Sequence, residues 1–148
     1  MSSYLTNSEA DEYFESRPYS SEWDTINEDE KTKLLAQATR LMERLNYVGN
    51  KADVEQELEF PRGDDTEIPS AIKDACSEIA YAILSGRDIE KEHELLGAQG
   101  LSNEVGRLSF SVETINLARL HSIPSILAWN FIRPYLRDGS VITLSRVS

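Results

Sequence analysis

The chain has 148 residues, 40% of them hydrophobic and 28% charged, which allows one hydrophobic core and excludes a fibrous or wholly disordered class. A net charge of −11 argues against tight nucleic-acid binding, because phosphate recognition needs clustered Lys and Arg to displace condensed counterions. Cys76 is the only cysteine, which excludes an intrachain disulfide and a cysteine-based four-ligand zinc site.

The charge is unevenly spread. Residues 1–30 carry nine acidic groups against Arg17, whereas residues 107–148 carry five arginines against Glu113 and Asp138. No basic, apolar, small-residue series opens the chain, and no apolar run approaches the ~20 residues that span a bilayer. The expectation is a protein made and used in solution, with no membrane partner.

In chain order, Asn7 to Phe14 reads as a short helix with Asn7 or Ser8 as N-cap and Glu9, Asp11 and Glu12 near its positive end. Tyr13 and Phe14 are its anchors. An irregular connection follows, tied down by Trp23 and Ile26. From Asn27 to about Leu45, Leu34, Leu35, Ala38, Leu41, Met42 and Leu45 recur at helical spacing. Asn27 and Glu30 form a capping box, Arg40 and Arg44 complement the far end, and Gly49 marks the exit.

Lys51 to Ile68 holds seven acidic residues, one proline and one glycine without a helical period. It reads as a long ordered loop docked by Leu58 and Phe60. Pro69 to Leu84 is the cleanest helix: Ile72, Ala75, Cys76, Ile79, Ala80, Ile83 and Leu84 keep its period, with Pro69 at the first helical position and Gly86 as the C-terminal cap. A weaker helical stretch runs from Asp88 to Leu96, ended by Gly97 and Gly100. Leu108, Phe110 and Val112 alternate with serines, which predicts a strand over 107–113. Ile123 to Leu136 returns to helix, ended or kinked by Pro134, which lacks an N–H donor. After Gly139 the residues Val141, Ile142, Leu144 and Val147 make an extended apolar tail of the kind that adds to another chain.

Chemistry-bearing residues are few. Cys76 lies on the apolar stripe between Ile72 and Ile79 and reads as inert core. His93 sits in a charged run, and His121 has no acidic or cysteine neighbour. Gly97 to Gly100 lacks the following Lys-Ser or Lys-Thr of a phosphate loop. No motif places a nucleophile beside its base, so no catalytic residue, cofactor or metal site is expected, and the chain is read as no enzyme. Asp53, Glu55, Glu57 and Glu59 would share one face if that stretch were a strand, but they lack the spacing of a calcium loop. Trp129 and Phe131 fall in an apolar helical segment and read as core or subunit contact. Arg133 and Arg137 flank Tyr135 and form the best basic-aromatic cluster in the chain, suited either to stacking bases or to meeting acidic residues of another polypeptide.

Six stretches carry a family resemblance when taken in their fixed order. They are Ser8 to Phe14, Gln37 to Arg40, Leu58 to Arg62, Ile68 to Cys76, Glu104 to Phe110 and Arg133 to Leu136. In these the chain resembles the small head-to-tail connector (adaptor, head completion) proteins of tailed bacteriophages, some of which are labelled DnaT-like single-stranded-DNA-binding proteins. The departures are the Asp88 to Gly100 and Glu113 to His121 stretches.

The resemblance implies a mainly α fold: a helical bundle with a small β-strand or hairpin element and an extended C-terminal tail, divided as a 1–138 domain and a 139–148 docking segment. It implies a homo-oligomeric ring, a dodecamer, under the portal protein at the head-tail interface of a virion, made in the host cytoplasm. A downstream tail, stopper or nozzle protein is the further partner, and genomic DNA passes through without specific binding. On that reading Val141, Ile142, Leu144, Arg146 and Val147 with Arg133, Tyr135 and Arg137 contact portal or subunit, and Asp53, Glu55, Glu57 and Glu59 face the lumen. Surplus Asp and Glu suit such a bore, since they repel phosphates. The alternative is a single-stranded-DNA-binding replication accessory protein built on Arg133, Tyr135 and Arg137. A regulatory protein acting on host partners is a third class, with no motif in its favour.

Overall fold

A computed structural model describes residues 2–86 and 123–137. Within them the chain is mainly helical: α1 (Asn7–Glu15), α2 (Glu28–Glu43), α3 (Ser70–Leu84) and α4 (Ile126–Ile132), with 3-10 turns at Ser21–Thr25 and Arg133–Tyr135. The β character among the described residues consists of two isolated antiparallel bridges, Tyr47 to Leu136 and Lys51 to Arg62. The strand expected over 107–113, the 88–96 stretch and the tail beyond Gly139 lie outside the described residues.

Local chemistry explains each start and stop. Thr6, one residue earlier than the sequence reading placed the cap, accepts from the Glu9 amide while Glu9 reaches back to the Thr6 amide. Asn27 and Glu30 form the expected reciprocal pair at the start of α2. Pro69 is the cap of α3 and not its first residue, and Gly86 takes the left-handed conformation just past its end. At α4, Ser125 accepts from the Ala128 amide at 3.1 Å. The helix tightens into a 3-10 turn where Pro134 removes a donor.

The core forms around α3, which packs on α1, α2, α4 and the 21–25 turn. Ile72, Ala75, Cys76, Ile79 and Ala80 are all fully buried, as the helical period of the segment requires. Ala10 and Phe14, one turn apart on α1, cover it on one side; Leu35, Ala38 and Met42 of α2 and Ala128, Trp129 and Ile132 of α4 cover the rest. Cys76 is core: its thiol lies 3.3 Å from the Thr39 hydroxyl, and burial pushes its pKa up to about 12.

Glu78 is a buried carboxylate on α3, 3% exposed, gripped by Arg17 at 2.7 and 3.1 Å and by the Tyr13 hydroxyl. Hydrogen bonding to Glu78 holds the Arg17 guanidinium more firmly protonated. Arg17 also lies 4.5 Å from the Tyr81 ring centroid, so one side chain pins the end of α1 to the far end of α3.

Candidate nucleic-acid interface

The long loop between α2 and α3 ends against α4 through aromatic rings. Phe60, 3% exposed, meets Tyr47, Tyr135 and Tyr4 edge-on at centroid distances of 4.7, 5.7 and 5.9 Å. The Tyr47 hydroxyl donates to the Met42 carbonyl at 2.8 Å. Backbone bonds close the seam: the Val48 amide donates to the Tyr135 carbonyl at 2.9 Å, and the Arg137 amide to the Asn46 carbonyl at 2.8 Å. Residues 46–48 and 135–137 are thereby held side by side although ~90 positions separate them in the chain.

Two arginines converge on this seam. The Arg62 and Arg137 guanidinium groups both donate to the Tyr47 carbonyl, at 3.4 and 3.2 Å. Their situations differ. Arg62 also donates to the carbonyls of Val48, Gly49 and Glu59 and to the Glu59 carboxylate, which engages all five of its N–H donors. It is a clamp that shapes the 47–49 turn. Arg133 and Arg137 are exposed and make no ion pair with a carboxylate among the described residues. Arg44, also exposed, lies two residues before Asn46. Tyr135, half-exposed and between Arg133 and Arg137 in the chain, stands beside a shallow cleft of about 450 Å³ lined by Asp65, Thr66, Glu67, Ile68, Pro69 and Tyr135 itself.

The sequence-predicted residues thus divide three ways. Tyr135 and Arg137 lie along one seam with Arg62, whose part in the site sequence reasoning missed, while Arg133 is exposed at the start of the 3-10 turn that carries Tyr135. The presence of Arg62 in the Leu58 to Arg62 stretch was the available signal. Asp53, Glu55, Glu57 and Glu59 lie on turns and bends, not on a strand. Asp53 caps the Glu55 amide, Glu57 accepts from Ser2, and Glu59 pairs with Arg62. Val141, Ile142, Leu144, Arg146 and Val147 lie outside the described residues.

No group of three or more potential metal ligands gathers among the described residues. No helix among them is long and apolar enough to cross a membrane.

A family model described as "Putative DnaT-like ssDNA binding protein" matches residues 1–136. The chain belongs to this family. The match takes in every helix described above and ends at Leu136, one residue short of Arg137. No curated protein and no solved structure matches the chain. Family membership corrects the leading expectation from the sequence, a structural phage head-tail connector of the virion. The ordered motifs resemble connector proteins, whereas the family to which the chain belongs is described by single-stranded-DNA binding.

Proposed function

We propose that the chain binds single-stranded DNA as a replication accessory protein, along the edge formed by Arg133, Tyr135 and Arg137. The observation that carries this reading is the seam itself. It sets a half-exposed aromatic ring in the chain between two exposed cations that make no ion pair with a carboxylate among the described residues, on a platform fixed by Arg62. Single strands are held by that combination: a phosphate contact on either side of a base stacked on an aromatic face. Family membership supports it.

The net charge of −11 sets the terms of binding. General repulsion weakens affinity, and attraction is confined to the few cations at the edge. Two or three phosphate contacts give log K a slope of about −1.4 to −2 against log salt for a single strand. Fluorescence anisotropy of a labelled oligonucleotide, followed through a salt series, tests this directly. Binding that weakens with salt at such a shallow slope is expected, and the absence of any salt-sensitive binding overturns the proposal.

A further inference from the structure

The face of α2 that looks away from the core carries a line of one character. Leu35, Ala38 and Met42 are buried. Lys33, Gln37, Arg40 and Arg44 are exposed, and at ~100° per residue they fall within about 60° of one another on the opposite side of the helix. The line is roughly 16 Å long at ~1.5 Å per residue. In a chain of net charge −11 it is kept clear of carboxylates, since the only acidic residue between Lys33 and Arg44 is Glu43. That carboxylate is turned into the fold, where it accepts from the Tyr4 hydroxyl and the Glu59 amide.

The line is graded along its length. Lys33 pairs with Asp29 at 3.0 Å, Arg40 donates to the Gln37 side-chain oxygen at 2.9 Å, and Arg44 makes no ion pair or side-chain hydrogen bond among the described residues. Its uncommitted end is the one next to the seam. Arg44 stands two residues before Asn46, whose carbonyl receives the Arg137 amide at 2.8 Å. The macrodipole favours a cation in the last turn of any helix. It does not dictate that Arg40 and Arg44 share a face, that the face is free of carboxylates, or that it runs into the seam. Between Lys33 and Arg44 no apolar residue is exposed, so the face lacks the apolar anchors on which a protein interface centres. Cations and polar side chains alone suffice for a phosphate backbone.

We infer that a single strand held at the seam continues along α2, with Arg44 and Arg40 each contacting a phosphate and the Gln37 amide nitrogen donating to the backbone beyond them. Arg40 and Arg44 are ~6 Å apart along the axis, a step that successive phosphates of an extended strand can follow. Lys33, held by Asp29, marks the end of the track. This inference rests on the DNA-binding reading of the seam and adds to it the direction the strand takes and the length of strand the chain engages.

The test is fluorescence anisotropy of the full chain with labelled oligothymidylates of about four and about twelve nucleotides, each followed through a salt series. The short strand covers the seam alone and shows its shallow slope. The long strand binds more tightly, and two further phosphate contacts steepen its slope of log K against log salt by about 1.4. Arg40→Gln with Arg44→Gln, which keeps helix propensity and the denaturation midpoint, weakens long-strand binding by about tenfold and removes the added slope. It leaves the short strand unaffected, and Arg40→Lys with Arg44→Lys retains the long-strand behaviour. Long-strand affinity and slope that the glutamine pair leaves unchanged overturn the inference while the seam reading stands. No binding of either strand by the unaltered chain overturns both.

Discussion

Arg62 and Arg137 share one carbonyl at one edge of the molecule, yet their substitution has different consequences. Arg62→Ala strips partners from the carbonyls of Tyr47, Val48, Gly49 and Glu59 together. An orphaned polar group costs about 1–3 kcal/mol when buried and less where water replaces the partner. Urea denaturation should therefore show a loss of about 2 kcal/mol with weakened DNA binding, whereas Arg133→Ala should weaken binding at an unchanged midpoint. Glu78 illustrates the opposite limit of burial. Arg17→Ala leaves a carboxylate that is 3% exposed without its cation, and breaking one side of such a pair costs about 3–5 kcal/mol, again read from the denaturation midpoint. The Cys76 thiol, fully buried with its pKa raised to about 12, should resist a thiol reagent at neutral pH in the folded protein and react once urea unfolds it.

Elements were legible in the sequence where period and cap agreed. Both long helices follow from apolar spacing, and the Asn27 to Glu30 capping box, the Pro134 break and the Gly86 exit were read from residue identity alone. Asn27→Ala should cost about 1 kcal/mol of stability. At the start of α1, Glu9 has its pKa lowered chiefly by its hydrogen bond to Lys73. A lowered carboxylate pKa contributes stability above the ordinary value near 4.5 that is lost as pH falls through the folded value. Stability measured between pH 6 and pH 3 should fall, and Glu9→Gln should flatten that fall by less than about 1 kcal/mol, since the pair is half-exposed and partly screened by solvent. What the sequence hid was non-local. Arg62 joins Arg137 only because the loop pairs Lys51 with Arg62 and Tyr47 with Leu136, contacts that carry no periodic signal. Tyr19 adopts a left-handed turn that residue identity disfavours. The alternating carboxylates at 53, 55, 57 and 59 resembled a strand face, but the chain there turns, and side-chain caps to its own amides replace a ladder.

At the scale of the whole molecule, an acidic protein that binds a polyanion must localise its attraction. The exposed cations Arg133 and Arg137 flank Tyr135 in the chain and supply that attraction at one edge. Total charge alone points away from nucleic acid, because a sum over the chain conceals a few cations gathered in one short segment. The most direct test of the account is a map of amide NMR shifts during titration with an unlabelled single-stranded oligonucleotide. Perturbations concentrated at residues 46–49 and 133–137, with the turn around Tyr19 unaffected, are the predicted result. Shifts centred on the 17–25 turn, or none at excess oligonucleotide, would contradict it.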